Sequence, residues 1–179
     1  MKSNTVNQFS LLQQVPAVRE LAVDADHIDV KSITTDVPMR QFLANMFSYM
    51  PKWMRVLYAV RWGFVRLLGM KQTGLPQSRR VAPEEISFTS GDNAAFFQVV
   101  EAQEDQYYFA AATEKHLTAH LGVTAEPISD HTADHNTRYH LVTLVHYHHW
   151  TGPIYFNAIR PFHHFVVNQM LKAAAQKDG

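Results

Sequence analysis

Cysteine is absent from this chain of 179 residues, and neither sign of charge predominates. Without a thiol, the sequence excludes disulfides, thiolate zinc sites, iron–sulfur clusters and a cysteine nucleophile. Lys and Arg together number 16, as do Asp and Glu, so the formal net charge is zero. Nucleic acids and anionic bilayers attract proteins with a basic surplus, and the overall charge therefore disfavours both as partners.

Long apolar runs are scarce as well. The first 14 residues contain one short apolar pair, Leu11-Leu12, and lack the apolar stretch of a secretory signal. The longest run without Asp, Glu, Lys or Arg, residues 139–159, contains four His and a Gly-Pro pair, which is unfavourable for a membrane helix. We expect a cytoplasmic protein without a membrane span.

Recognisable catalytic and nucleotide-binding spacings are also missing. The sequence contains no Gly-x-Gly-x-x-Gly, P-loop, Gly-x-Ser-x-Gly or His-Glu-x-x-His pattern. We therefore assign no cofactor and no metal, and whether the protein is an enzyme stays open at this point.

The composition is that of a core-forming chain, with 46% hydrophobic residues. The length favours a single domain, which we place at residues 25–176, after an N-terminal arm at residues 1–24. Pro16 is expected to interrupt any helix in that arm.

Hydrophobic periodicity predicts a strand and then two helices in the first half of the domain. Residues 26–35 are β-branched and partly alternating, which favours a strand. The first helix is predicted to begin near Pro38 with Asp36 as its cap, and the second to run from Pro51 to Gly69. The inner face of the first helix is expected to consist of Met39, Phe42, Leu43, Met46 and Phe47. The apolar stripe of the second helix is expected to face the core: Trp53, Val56, Leu57, Val60, Phe64, Leu67 and Leu68.

The second half predicts antiparallel strands and one long helix. Strands are expected at residues 85–90, 95–102, 106–113, 116–123 and 137–150. The last strand is apolar on both faces and should lie centrally in the sheet. The helix opens at Gly152-Pro153, and its predicted inner face consists of Tyr155, Ile159, Phe162, Val166, Met170 and Ala173.

This order of elements resembles the helix-grip fold of the START-like, or SRPBCC, superfamily. The segments Asp26-His-Ile-Asp-Val30 and Val145-His-Tyr-His-His-Trp-Thr-Gly-Pro-Ile-Tyr-Phe-Asn-Ala-Ile-Arg-Pro-Phe-His-His164 are also similar to an uncharacterised bacterial family of that fold. In some relatives a similar C-terminal segment follows a short-chain-dehydrogenase-like NAD(P)-binding domain. The resemblance implies an α+β fold, in which a curved antiparallel sheet wraps a long C-terminal helix and two helices lie between strands 1 and 2. It supplies no catalytic residue.

Histidine is the conspicuous residue of this sequence, with eleven copies. His146 and His148 share a side-chain face with Trp150 on the last strand, and His163 lies at the edge of the inner helix face. We expect the three imidazoles to meet at a mouth between strand and helix, as a polar rim, as ligand contacts or as a base. His140 stays undecided. The other histidines are expected at the surface or in loops: His27, His116, His120, His131, His135, His149 and His164.

The resemblance and the imidazoles beside an apolar helix face favour a cavity that binds a small apolar or amphipathic molecule. The candidate cavity residues are His146, His148, Trp150, Tyr155, Phe162, His163 and Arg61. One alternative is a cyclase-, isomerase- or hydrolase-like enzyme that uses a cavity His as general base. Another is a homodimeric interaction module, because Phe156, Val167 and Leu171 form a second apolar stripe on the last helix.

Overall fold

Six antiparallel strands form a curved sheet in the computed structural model, which describes residues 16–67, 79–128 and 136–177. In chain order the strands are β1 (His27–Thr35), β2 (Asn93–Ala94), β3 (Phe97–Gln103), β4 (Tyr107–Thr113), β5 (Leu117–Pro127) and β6 (Thr137–Tyr147). Their order across the sheet is β1-β6-β5-β4-β3-β2. β6 pairs with β1 on one side and β5 on the other, which confirms its predicted central place.

The helices are α1 (Pro16–Val23), α2 (Met39–Ser48), α3 (Lys52–Leu67) and α4 (Thr151–Ala174), with a short 3-10 helix at Pro83–Glu85. An α+β chain with two helices between β1 and β2 and a long C-terminal helix is therefore confirmed. None of the described helices is both long and apolar enough to cross a bilayer.

The main core lies between one face of the sheet and the helices α2 and α4. Its largest fully buried side chains include Phe42, Tyr108 and Leu141. Phe42 of α2 stacks on Tyr139 of β6 with ring centroids 4.2 Å apart, and the Tyr139 hydroxyl donates to the carbonyl oxygen of Val37. The predicted inner face of α2 is confirmed, since Met39, Phe42, Leu43 and Met46 are buried.

The opposite face of the sheet carries a smaller apolar cluster beneath α1. Phe109, Val142 and Leu144 are buried there against Leu21 and Ala22. α1 as described begins at Pro16, and the expectation that Pro16 interrupts a helix depends on the preceding residues, which lie outside the described ones. Proline is tolerated in the first turn, where its missing amide hydrogen would have had no partner within the helix.

The predicted cap of α2 and the predicted strand at residues 85–90 are both wrong. Asp36 does not cap α2, which Pro38 precedes without a side-chain cap bond, and Asp36 instead pairs with Lys177 at 2.5 Å. Residues 86–90 form no strand, and the Ser87 hydroxyl bonds locally: it donates to Oδ2 of Asp92 at 2.5 Å and accepts from the backbone N–H of Thr89 at 3.1 Å. Serine side chains that bond nearby backbone compete with strand pairing in this way.

The predicted core stripe of α3 is wrong in part. Val56 and Val60 are each 64% exposed, whereas Met54 is buried and Tyr58 and Arg61 are half-buried on a different side of the helix. The side chains of Phe64, Leu67 and Leu68 and the predicted stop at Gly69 lie outside the described residues.

The inner face of α4 is also rotated from the predicted one. Phe156, Val167, Leu171 and Ala174 are buried, whereas Phe162 is 55% exposed. These buried positions are one residue beyond the predicted stripe at several turns, a rotation of about 100° about the helix axis. The stripe offered as a dimer interface is therefore the interior face, and it leaves no subunit surface at Phe156, Val167 and Leu171.

Candidate functional site

Polar side chains gather where the edge strand β1 faces α4. Alternation along β1 directs His27, Asp29 and Lys31 toward α4, because they pair across the strands with Val145, Thr143 and Leu141, which lie on that face. α4 contributes His163 and His164 from its β1 side. We call His27, Asp29, Thr143, His163 and His164 the β1–α4 cluster.

The cluster is organised around the Asp29 carboxylate. Its Oδ2 atom accepts a hydrogen bond from Nδ1 of His164 at 3.2 Å and forms an ion pair with Nζ of Lys31 at 3.0 Å. Nε of Arg160 donates to Nε2 of His164 at 3.4 Å, so the hydrogen that bonds to Asp29 is carried by Nδ1. Asp29 thus fixes the tautomer and the orientation of His164.

Phe156 forms the apolar wall of the cluster. Its ring centroid lies 4.9 Å from that of His27 and 6.0 Å from that of His163. The His164 ring lies 6.1 Å from His27 and 6.2 Å from His163. Two imidazoles therefore contact one buried phenyl ring, and the third lies beside both of them.

Three atoms of the cluster are buried without a hydrogen-bond partner among the described residues. They are Nε2 of His27, Oγ1 of Thr143 and Nε2 of His163. Buried polar atoms in folded proteins are normally satisfied, and leaving one unsatisfied costs about 1–3 kcal/mol. This concentration of unused hydrogen-bonding capacity at one place in the fold marks it as the candidate site.

Burial keeps two of the imidazoles uncharged. It lowers the pKa of His163 to about 4, and the neighbouring His164 adds to this effect. Burial also lowers the pKa of His27, with help from the charge of Arg160. Burial opposes ionisation of Asp29, but the hydrogen bond and charge of Lys31 and the contact with His164 lower its pKa overall.

The predicted meeting of His146, His148 and His163 at one mouth is not found. His146 projects from the face of the sheet that α1 covers, and its Nε2 atom donates to the carbonyl oxygen of Leu21 at 2.9 Å. Nε2 of His148 shares a 2.8 Å hydrogen bond with the Thr118 hydroxyl, just past the end of β6. His163 is on α4, across the sheet from His146.

The other candidate residues are also spread apart. Trp150 is 71% exposed just before α4, and Phe162 points away from the sheet. Tyr155 is buried, and its hydroxyl accepts a hydrogen bond from Nε of Arg61. Of the seven, Tyr155 and Arg61 are in direct contact, and His163 belongs to the β1–α4 cluster.

Arg61 has its carboxylate partner within the chain. An Nη2 atom donates to Oε1 of Glu114 at 2.9 Å. Burial works against the charged guanidinium, but Tyr155 and Glu114 outweigh it, so the pKa of Arg61 is raised. Burial raises the pKa of Tyr155, although the charge of Arg61 acts in the opposite direction. The network joins α3, α4 and the β4–β5 turn.

The α1 side of the sheet carries its own histidines. Burial lowers the pKa of His120 to about 4, and His146, whose ring lies 5.2 Å away, contributes as well. His140 is held by Ser32 at 2.7 Å and by Glu126 at 3.1 Å. The surface prediction for His116 and His120 is wrong because both are buried, whereas His149 is exposed as expected. His131 and His135 lie outside the described residues.

The described part of the chain has an open cleft away from the β1–α4 cluster, but no grouping of side chains suited to a metal ion. Within it, no group of three or more His, Asp or Glu side chains is arranged to hold a metal ion. A cleft of about 580 Å³ lies between α2, residues 80–83 and the end of α4, and it is lined largely by polar side chains such as Gln41, Asn45 and Arg80. It is open and far along α4 from the β1–α4 cluster.

Sequence reasoning missed His27, Asp29, Thr143 and His164 as a group. The alternation of residues 26–30 was a usable signal, because it places His27 and Asp29 on one face of a strand. The rotation of α4 about its axis, which brings His163 and His164 to that face, could not be predicted from the sequence.

Residues 21–170 match the model of the family described as "Protein of unknown function (DUF2867)". Since the match covers most of the chain, the protein belongs to this family. Comparison with curated proteins gives no significant match.

Proposed function

We propose that this member of the DUF2867 family binds a small amphipathic molecule at the β1–α4 cluster. The observation that carries the proposal is the set of three buried, unpartnered polar atoms on His27, Thr143 and His163. A bound polar group would satisfy them, and it would replace the hydrogen bonds that the protein itself does not supply.

The chemistry of the cluster favours a ligand with a neutral polar end. His163 stays neutral well below pH 7, and Thr143 carries a hydroxyl, so each can donate to a hydroxyl or carbonyl group or accept from a hydroxyl group. The one carboxylate, Asp29, is already bonded to Lys31 and His164. Phe156 offers an apolar contact to the rest of the molecule.

We infer in addition that the fold belongs to the helix-grip, START-like class. A six-stranded antiparallel sheet with a long C-terminal helix, and two helices inserted after the first strand, supports this assignment. The likeness to the C-terminal segment of short-chain-dehydrogenase-like proteins is part of the same proposal. Its residues, 145–164, include the part of α4 that contacts β1.

A pair of matched threonine variants tests the ligand site. Thr143 and Thr124 are both buried threonines in the sheet with unpartnered hydroxyls, but Thr143 faces α4 and Thr124 faces the α1 side. Thr→Val is nearly isosteric and removes an unsatisfied hydroxyl, so both variants should fold. Binding of 1-octanol, with octanoate as the charged comparison, is measured by calorimetry at pH 7.5.

We expect saturable binding of 1-octanol that is weakened about tenfold by Thr143→Val and unchanged by Thr124→Val, since one hydrogen bond contributes about 1 kcal/mol or somewhat more. Octanoate should bind more weakly than 1-octanol, because the unpartnered atoms lie beside the Asp29 carboxylate. The proposal is overturned if 1-octanol does not bind saturably, or if the two threonine variants bind it equally.

A proton-transfer enzyme is the second candidate, favoured by the Asp29–His164 pair. A carboxylate that orients an imidazole is the usual arrangement behind a general base. Such a base would take a proton from water on Nε2 of His164, in place of the 3.4 Å bond from Arg160, as the water attacks an ester carbonyl. The alcohol would then leave with the proton that His164 returns to it. Hydrolysis of p-nitrophenyl octanoate should then fall at least tenfold in His164→Gln but stay unchanged in His149→Gln. Equal rates in the two variants remove this candidate and leave the binding proposal intact.

A further inference from the structure

The zero net charge hides a strong segregation of charge along the chain. Residues 37–83, between Asp36 and Glu84, contain no Asp or Glu but eight of the 16 Lys and Arg residues. α3 lies inside this stretch and carries only basic charges, and α4 also contains no acidic residue. Two neighbouring helices thus present one sign of charge.

The same two helices expose most of the large apolar side chains that the described part of the chain leaves to solvent. On α3, Val56 and Val60 are each 64% exposed, and Trp62 is 50% exposed. On α4 the exposed fractions are 49% for Ile154, 55% for Phe162 and 51% for Phe165. Isolated exposed apolar side chains are ordinary, but a concentration of them on adjacent elements marks an interaction surface.

Contacts between the helices join these side chains into one surface. The Trp53 ring lies 5.2 Å from that of Phe165, and Arg61 bonds to Tyr155, so the helices run antiparallel side by side. Trp53 is followed at helical spacing by Val56 and Val60, which therefore extend the apolar strip from Phe165 along α3.

Basic side chains border this strip. Lys52, Arg55 and Arg66 are exposed on the adjacent side of α3, and the Arg66 guanidinium lies 5.3 Å from the centroid of the Trp62 ring. All three tryptophans of the chain lie on α3 or just before α4. We define the α3–α4 face as the half-buried Trp53 together with these exposed groups: Lys52, Arg55, Val56, Val60, Trp62, Arg66, Trp150, Ile154, Phe162 and Phe165.

We propose that the α3–α4 face docks on the surface of an anionic lipid bilayer. A helix that lies in a membrane interface combines an apolar face, a basic border and tryptophan, because acyl chains, anionic headgroups and the interfacial zone each favour one of these. The face meets all three requirements without spanning the membrane.

Two other occupants fit the face less well. A symmetric contact between two copies would bring Lys52, Arg55 and Arg66 of each chain together, and like charges would oppose it. Nucleic acid would pair with the basic groups but would leave Val56, Ile154 and Phe165 without an apolar partner. An anionic bilayer covers both kinds of group.

Vesicle binding of the full chain tests the proposal. Phosphatidylcholine vesicles are compared with vesicles of phosphatidylcholine and phosphatidylserine in a 3:1 ratio, by co-sedimentation and by tryptophan emission. We expect binding to the anionic vesicles with a shift of the emission to shorter wavelength. We also expect the binding to weaken strongly between 0.05 and 0.5 M salt, because added ions screen the attraction.

Matched variants locate the contact. Val60→Ser with Phe165→Ser should reduce vesicle binding at least tenfold, whereas Phe96→Ser should leave it unchanged, since Phe96 is 49% exposed at the β2–β3 turn. Arg55→Glu with Arg66→Glu should reduce binding about tenfold or more, given about 1 kcal/mol for each basic residue near an anionic surface. Arg19→Glu, an exposed change on α1, is the charge control.

Equal binding to neutral and anionic vesicles overturns the proposal, as does a loss in Phe96→Ser equal to that in the Val60/Phe165 variant. Sedimentation velocity measures self-association of the chain, and a 20-nucleotide duplex measures its binding to nucleic acid. A dimer abolished by Val60→Ser with Phe165→Ser, or duplex binding abolished by the arginine changes, in either case without vesicle binding, assigns the face to another partner and overturns the proposal too.

Discussion

Histidine has different roles on the two faces of the sheet. His163 and His120 are both kept neutral by burial, but His163 lies in the β1–α4 cluster and His120 lies beside His146 under α1. Each retains an unpartnered ring nitrogen among the described residues. Both therefore make the folded state sensitive to acid, whatever the protein binds.

Folding stability should fall steeply as the pH drops below neutrality. The pKa of His163 and of His120 is about 4 in the folded protein, against 6.5 for an unperturbed imidazole. In this pH range the two imidazoles bind protons in the unfolded chain but not in the folded protein. Folding stability is therefore lost as the pH falls from about 6.5 toward 4. Between pH 7 and pH 5, each imidazole should remove about 2 kcal/mol from the free energy of unfolding, measured by urea denaturation.

Single variants separate the two contributions. His163→Gln and His120→Gln should each reduce the loss of stability between pH 7 and pH 5, whereas His149→Gln, at an exposed position, should not. A pH dependence that is the same in all three variants and the parent would contradict the assignment.

Gly122 is a second position where one residue decides local packing. A Cβ atom built there would lie 2.0 Å from Cε1 of Phe109, and the Phe109 ring is almost fully buried and has little room to move. We expect Gly122→Ala to destabilise the fold by about 1–3 kcal/mol, as overpacking does. Thermal denaturation should show partial recovery in Gly122→Ala combined with Phe109→Leu, and no recovery would show that the ring is not the obstacle.

The alternation of side chains along β6 was predictable from the sequence, but the side of the strand that meets α4 was not. Alternation along β6 places His140 and His146 on one side of the strand, because it depends on the backbone alone. Which side meets α4 depends on packing between elements that are distant in sequence. The predicted meeting of the three histidines is wrong because His146 lies on the α1 side of the sheet and His163 lies on the α4 side.

The hydrophobic periodicity of α3 and α4 did not predict correctly which side of each helix is buried. α4 has apolar residues on several sides, including Ile154, Tyr155, Phe156, Phe162 and Phe165, so more than one stripe satisfies helical spacing. α2 has one clear stripe, and its buried face was predicted correctly. α3 turns Met54 inward because Arg61 on the same side bonds to Tyr155 and Glu114.

The Arg61 network should hold α3 against the rest of the molecule. Arg61→Met removes bonds to two elements and leaves Glu114 without its cation, so we expect a loss of about 1–3 kcal/mol in the free energy of unfolding. Arg55→Met, on the exposed side of the same helix, should change it by less than about 0.5 kcal/mol. A double-mutant cycle with Glu114→Gln should give a coupling of about 1 kcal/mol. Equal losses for the two arginine variants would mean that the network does not stabilise the docking of α3.

For the whole molecule, the order of elements was predictable because it follows local pattern changes along the chain. The strand, the two helices, the later strands and the last helix were each read from periodicity. Residues 85–90, 95–96 and 148–150 were predicted to be in strands but lie outside them. The site required the assembled sheet, since Thr143 reaches the cluster through pairing of β6 with β1 and His163 through docking of α4. Neither relation has a local signature in sequence.

The net charge of the whole molecule does not predict the charge of any one of its surfaces. Sixteen basic and 16 acidic residues cancel, yet half of the basic ones lie within residues 37–83 without a single carboxylate among them. A balanced total is therefore compatible with a strongly basic α3–α4 face, and the distribution decides the partner.

A crystal structure of the protein soaked with 1-octanol tests the central claim, that the unpartnered atoms of the β1–α4 cluster are a ligand site. We expect the octanol oxygen within hydrogen-bonding distance, about 2.7–3.2 Å, of Thr143 Oγ1 and of Nε2 of His163 or His27, with the alkyl chain against Phe156. Octanol bound only elsewhere, such as in the cleft beside Arg80, would contradict it, as would a protein side chain occupying that position.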